Sequence, residues 1–296
     1  MYKSIFVPLD GSVFAEAALP VALSLSRRTG AGIRLLNVVE FFPTSARYGW
    51  EDVARDHAQD YLEETAREIS GQGSGEVTTA VRVGDVADIL HAEAEGSDLV
   101  VMASHGRGGL ARAWLGSVAD SVVRHAKHPV LLVRPTEDGT RDSEGDWTVS
   151  KMLLPMDGSA VSEAILQHAM DLGSLFGATY HLMRAVPAPM QFSSPYPPHM
   201  IEANHKQIEE EVAGATAYLQ RHGDSLRGKG LMVEEQVVTG VQPAHGILAE
   251  AERSGCDFIA ISAHGRGPLA RAVLGSTSDK VVRGTHLPLL LFRAIE

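Results

Sequence analysis

Hydrophobic positions along this chain fall into two alternating rhythms. Short continuous apolar runs, the mark of strands covered on both faces, occur at Ser4–Leu9 (SIFVPL), Ile33–Val39 (IRLLNVV), Val77–Val83, Asp98–Ala103 and Val130–Arg134. Between them lie segments of helical spacing: Val13–Arg28, Glu51–Ser70, Val86–Glu95 and Ser117–Lys127. Asp10-Gly11-Ser12 supplies turn and cap chemistry for the first helix, where Pro20 predicts a kink and Gly30 a stop. Strands and helices in this alternation imply a parallel sheet with helices on both faces.

The pattern then begins again. Lys151–Asp157 (KMLLPMD) matches Lys3–Asp10, with VPLDGS becoming LPMDGS, and Ile201–His222 repeats the long polar helix. Asp257–Arg293 (DFIAISAHGRGPLARAVLGSTSDKVVRGTHLPLLLFR) aligns without a gap on Asp98–Arg134 (DLVVMASHGRGGLARAWLGSVADSVVRHAKHPVLLVR). The second copy carries insertions at the proline-rich Pro187–His199, expected over the surface or a pocket mouth, and around Gly240–Ile247. Acidic, turn-rich Pro135–Ser150 reads as a linker. The expected domains are therefore 1–135 and 151–296, with 136–150 between them. The fold class is α/β: two tandem open parallel five-stranded sheets, Rossmann-like, with strand order 3-2-1-4-5.

Composition narrows the function classes. The 296 residues suit two domains of ordinary size, and 44% hydrophobic with 21% charged residues is globular usage. A formal net charge of −11 argues against nucleic acid or an anionic membrane as partner. The lone Cys256 rules out an internal disulfide and reads as a buried structural thiol. No run approaches the ~20 apolar residues that span a bilayer. MYKSIFVPLDGS does not read as a signal peptide, so a cytoplasmic location is expected.

Asp10 and the glycine loop at Gly106 each follow a strand, at the carboxyl edge where open α/β sheets bind ligands. Gly106, Gly108 and Gly109 permit close backbone approach, and Gly116-Ser117 opens a helix whose N–H groups suit a phosphate. The Ser117 hydroxyl could meet a phosphate or join a magnesium shell. Alone, Gly116 could simply permit a turn and Ser117 cap the helix; the constellation, present twice, favours a ligand. Asp10 suits an Asx-turn and, in a functional role, a ribose or base edge; Asp157 repeats it. His105 and His264 lack a serine–histidine–carboxylate setting and suit hydrogen bonding within their loops. Arg107 and Arg266 could approach phosphates, whereas Arg112 and Arg271 suit solvent or an interface equally. His57, His91, His125, His128 and His245 lack ligand spacing, so no metal site is assigned. There is no G-x-x-x-x-G-K-[ST], and the glycines follow the fourth strand rather than the first, against a Walker loop or a dinucleotide-binding dehydrogenase.

These residues resemble the universal stress protein superfamily in tandem form. Its signature is G-x-x-G, nine residues, then G-[ST]. Here Gly106 is followed by nine residues and Gly116-Ser117, and Gly265 by nine and Gly275-Ser276. VPLDGS, LPMDGS, HPVLLVR and LPLLLFR match the family's ends. The resemblance implies an adenine-nucleotide-binding fold: ATP, with any magnesium carried on its phosphates. It implies an internal pseudo-dimer through Val130–Arg134 and Leu289–Arg293, with a further homodimer and an unidentified protein partner as additional expectations. By the resemblance, Asp10 meets the adenosine beside Pro8 and Leu9, and Val38 the adenine. Gly106 and Gly116 take the ribose and phosphate positions, with Ser117 and Val118 at the terminal phosphates, and Ala103, Arg107 and Gly108 complete the first-half binding set. The second-half matches are Pro155, Met156, Asp157, Ala185, Ser262, Gly265, Arg266, Gly267, Gly275, Ser276 and Thr277.

Three departures stand out. Ala103 and Ser262 replace the first signature glycine, costly if that position needs φ > 0 and harmless otherwise. Pro268 stands where the first copy has Gly109, and Arg184 and Ala185 where it has Asn37 and Val38, so the first site is favoured over the second. The function implied is a stress-response ATP-binding sensor or regulator. The alternatives are a non-binding scaffold of the same fold and a slow ATPase; no catalytic residue is assigned, since no committed general base is visible.

Overall fold

The computed structural model describes residues 2–40, 50–105, 115–135, 146–187, 198–263 and 274–294, with the helical backbone alone over 198–205. Gly106–Gly109, Arg112, the second-copy loop with His264, Gly265–Pro268 and Arg271, most of the linker and most of the Pro187–His199 insertion lie outside the described residues.

The first half runs β1 (Ser4–Pro8), α1 (Val13–Glu16), α2 (Ala18–Thr29), β2 (Gly32–Val39), α3 (Trp50–Ser70), β3 (Val77–Val83), α4 (Val86–Ala94), β4 (Leu99–Ala103), α5 (Ser117–His125) and β5 (Val130–Val133). The second runs β6 (Lys151–Pro155), α6 (Ala160–Glu163), α7 (Ile165–Gly173), β7 (Thr179–Val186), α8 (Pro198–Arg227), β8 (Met232–Thr239), α9 (Pro243–Arg253), β9 (Phe258–Ala263), α10 (Ser276–Gly284) and β10 (Leu289–Arg293). The described residues form two compact units. One is drawn from Met1–Thr148 and His286–Glu296, the other from Val149–Ala263 and Gly275–Thr285.

In the first unit the strand order is β3-β2-β1-β4-β5, parallel throughout, as the sequence predicts. Its buried strands are continuous apolar runs: Leu99, Val100, Val101, Val130, Leu131 and Leu132 are all fully buried. Each contributes roughly 1.5–3 kcal/mol by leaving water. β10 then adds antiparallel to β5, setting Leu289 opposite Leu132 and Leu291 opposite Val130. That is the strand pairing expected of Val130–Arg134 with Leu289–Arg293, and it counts the last strand with the first unit. The second unit by itself orders its strands β9-β6-β7-β8, also parallel.

Asp98, which opens the long repeated stretch, fastens β4 to β1: its carboxylate accepts from the amides of Lys3 (2.7 Å) and Ser4 (3.0 Å). Asp257 repeats this, accepting from Ser150 (2.8 Å) and Lys151 (3.0 Å). Burial raises the Asp98 acid, but these donors outweigh it and hold it below its usual range.

The first long helix is broken, though not by Pro20. The break falls at Ala17, between α1 and α2, and recurs at Ala164 between α6 and α7 where no proline follows. Pro20 therefore occupies the first turn of α2, where a missing N–H costs little. Gly30 ends α2 in the left-handed conformation (φ 73°), as expected. The end of the linker is not free of the fold. Ser24 Oγ donates to the Trp147 carbonyl at 2.7 Å, and Arg27 pairs with Asp146 at 2.6 Å.

A polar network centred on the buried pair His181 and Glu250 crosses the second unit. His181 of β7 reaches Glu234 Oε2 (3.1 Å) and Glu250 Oε1 (2.7 Å), while Lys151 pairs with Glu234 and Arg253 with Glu250, each at 2.6 Å. In the first unit Arg34 takes the equivalent strand position and pairs with Glu93, which also pairs with Arg82. Cys256 is buried and burial pushes its thiol up, as a structural cysteine requires.

Candidate functional site

At the carboxyl edge of the first unit's sheet lies a cleft of about 970 Å3, at the upper end of ordinary small-ligand pockets. Eight of the residues singled out from sequence line it: Pro8, Leu9, Asp10, Val38, Ala103, Gly116, Ser117 and Val118. They come from the ends of β1, β2 and β4 and from the start of α5. Gly106, Arg107 and Gly108 lie outside the described residues.

Each wall has a local cause. Asp10 Oδ1 accepts from the Ser12 amide (2.9 Å) and hydroxyl (2.6 Å), and Ser12 Oγ caps α1 through the Ala15 amide. The Asx-turn role is thus filled, and it pins the Asp10 carboxylate at the cleft. Gly116 has φ −60°, a value any residue adopts, so what a side chain meets there is tight space rather than backbone strain. A Cβ there would sit 3.3 Å from His105 Cα and 3.4 Å from the Ser104 carbonyl, and the Gly116 amide donates to that carbonyl at 2.8 Å. The first helical bond runs from Asp120 N to Gly116 O. Ser117, Val118 and Ala119 therefore hold the leading positions of α5, whose N–H groups have no acceptor inside the helix and whose dipole favours an anion. Ala103 lies within β4, in extended backbone, where its methyl replaces a glycine without strain.

His105 lines the same cleft, with Ser104 Oγ 3.1 Å from its Nδ1 and the Phe14 ring 5.8 Å away. Burial and then the nearby Arg134 charge push its imidazole below the usual range, so it enters the cleft neutral at pH 7. Burial also pulls Arg134 down, to about 10, which leaves it charged at neutral pH. Among the described residues no group of three or more His, Cys, Asp or Glu is placed to hold a metal ion.

Sequence reasoning missed the wall built by α3 and α4. Trp50, Ala54, His57, Ala58 and Tyr61 of α3 line the cleft, joined by Val86 and Leu90 of α4. Their helical spacing was a usable signal, obscured by the charges around them. Tyr61 is oriented by its hydroxyl, which donates to Glu16 Oε1 at 2.9 Å. Asn37, next to Val38, is buried and donates to the Leu9 carbonyl at 2.9 Å, tying β2 to the end of β1.

The second unit keeps the scaffold and changes the site. Asp157 repeats the Asx-turn, accepting from the Ser159 amide (2.9 Å) and hydroxyl (2.6 Å). Gly275 and Ser276 open α10 as Gly116 and Ser117 open α5, with Thr277 next, and Pro155 and Met156 end β6. Ser262 lies in β9; its carbonyl accepts from Ser278 Oγ, while its own buried hydroxyl has no hydrogen-bond partner among the described residues. The cavity here is smaller, about 550 Å3, and of all these residues only Ala185 lines it. Gly265, Arg266 and Gly267 lie outside the described residues. Arg184 explains the difference: its guanidinium lies against Gly158, where an added Cβ would be 3.0 Å from Nη1.

The family model for the universal stress protein family matches residues 1–134 and 148–293. A universal stress protein of Mycolicibacterium smegmatis is 27% identical over 98% of this chain and 96% of its own length. A Synechocystis universal stress protein is 24% identical over 98% of this chain and 100% of its own. Among solved structures, a universal stress protein from Archaeoglobus fulgidus superposes with a TM-score of 0.74 at 20% identity, covering 98% of both chains. That last likeness speaks for the fold. No helix among the described residues is long and apolar enough to cross a membrane.

Proposed function

The chain belongs to the universal stress protein family, with one copy of the family domain in each half, and on that footing we propose that its first crevice binds an adenine nucleotide, ATP, and that occupancy regulates a protein partner. The carrying observation is the convergence of Asp10, Val38, Ala103, Gly116 and Ser117 on one cleft of about 970 Å3. Asp10 offers a carboxylate to ribose or base, Val38 and Leu9 an apolar surface to a purine, and the start of α5 its amides to phosphates. Any magnesium would ride on the phosphates, with the Ser117 hydroxyl within its shell.

Titration calorimetry of the full chain with ATP and magnesium tests the reading. Saturable binding at one site is expected. Absence of heat and of thermal stabilisation at millimolar nucleotide rejects it.

A further inference from the structure

We propose that the second unit's cleft is a separate site for a small oxyanion, a ligand carrying one phosphoryl or carboxylate group. The two halves provide the comparison. Tyr61 and Tyr218 occupy equivalent positions, since Tyr61 donates to Glu16 and Tyr218 to Glu163, each at 2.9 Å. Counting along α3 and α8 from those tyrosines, Glu64 of the first unit becomes Arg221 and Ala54 becomes Glu211. On the adjoining strands Asn37 becomes Arg184. Two changes add positive charge and one adds a carboxylate. The second cleft's described lining thus holds two arginines against one glutamate, in a chain whose net charge is −11.

Both arginines line the 550 Å3 cavity. Their guanidinium carbons lie 5.2 Å (Arg184) and 5.9 Å (Arg221) from the Tyr218 ring centroid. Stacking on a ring orients a guanidinium while leaving its in-plane N–H groups available. The ring is itself held, by the Glu163 bond and by His222, whose ring meets it edge-on at 4.7 Å. Among the described residues neither guanidinium pairs with a carboxylate. Glu211, the one acidic residue among the described residues lining the cavity, is engaged by Gln207 at 3.2 Å. Two oriented, part-solvated forks facing one cavity are the chemistry that binds phosphate or carboxylate. The same Arg184 side chain occupies the room over Gly158, so this site and an adenosine pocket exclude each other in the second unit.

The site shares no residue with the first crevice, so it stands or falls independently of the nucleotide reading. The test uses the full chain with 13C,15N-labelled arginine and no nucleotide. Inorganic phosphate and, separately, acetate are titrated while the arginine Nε–H signals are followed, with Arg184→Lys and Arg221→Lys supplying assignments. Both signals are expected to move together along one saturating curve, with Kd on the order of 1–10 mM for so small a probe. Arg184→Met and Arg221→Met should each weaken that curve at least tenfold, and Arg221, exposed on a helix, is replaceable without unfolding. Saturation by phosphate alone marks a phosphoryl ligand, by acetate as well a carboxylate-tolerant one; either supports the site. Signals that fail to saturate, or a curve unchanged by Arg221→Met, overturn it.

Discussion

The Gly116 amide donates to the Ser104 carbonyl at 2.8 Å, joining the end of β4 to the start of α5 across the segment that carries the glycine loop. This bond sets where the first amides of α5 point, and a side chain at position 116 would press on its acceptor. Gly116→Val is therefore expected to lower ATP affinity at least tenfold in calorimetry, about 1.4 kcal/mol or more. Affinity within twofold of the parent would show that the cleft takes its nucleotide elsewhere.

Ala103 invites the opposite substitution. Because it ends β4 and pairs with Val133, its backbone is extended and gains nothing from glycine. Ala103→Gly should leave nucleotide affinity unchanged and cost about 0.5–1 kcal/mol of stability in urea unfolding. A marked gain in affinity would mean that the methyl itself obstructs the ligand.

Asp98 fastens two strands with one exposed carboxylate. Its lowered pKa means the stabilisation is present above the unfolded carboxylate pKa, near ~4, and is lost as pH falls through the lower folded value. Asp98→Asn should cost about 1 kcal/mol at pH 7, a figure discounted for solvent exposure. The gap between parent and variant should narrow below pH ~4. A gap constant from pH 7 to 3 would place the effect outside the ionised clasp.

His181 sits buried between Glu234 and Glu250, so removing it leaves a gap beside Glu250, a carboxylate only 3% exposed, and leaves Arg253 as its remaining ion-pair partner. His181→Ala is expected to destabilise the second unit by roughly 2–4 kcal/mol, visible as a lowered thermal transition. His181→Arg should recover most of that, since the first unit holds Arg34 at this position against Glu93. An arginine variant no better than alanine would show the pocket to be shaped for imidazole alone.

Much of the architecture was legible because parallel strands buried on both faces leave long apolar runs, as at Leu99–Ala103. The repeat marked the two halves, whereas the pairing of Leu289–Arg293 with Val130–Arg134 came only from the resemblance to the family. The Pro20 kink was misread for a general reason: a proline in a helical stretch suggests a break, yet Ala164 breaks the second copy with no proline following it. On the site, glycines and Asp10 were visible because backbone geometry leaves a local signature. The α3 wall was not, since Trp50, His57 and Tyr61 become neighbours of β1 only through tertiary packing. Arg184 was visible as a departure, but its turn onto Gly158 depends on room that no spacing encodes.

β10 pairs with β5 of the first unit although the second unit's strands lie between the two in sequence. On the ribosome, then, the first unit emerges with the β5 edge bare while the intervening residues are still being made. An unpaired apolar edge of Val130, Leu131 and Leu132 is a template for wrong partners. The protein's vulnerability to misassembly is thus concentrated in the interval before Leu289–Arg293 arrives, and it ends only when translation delivers that strand.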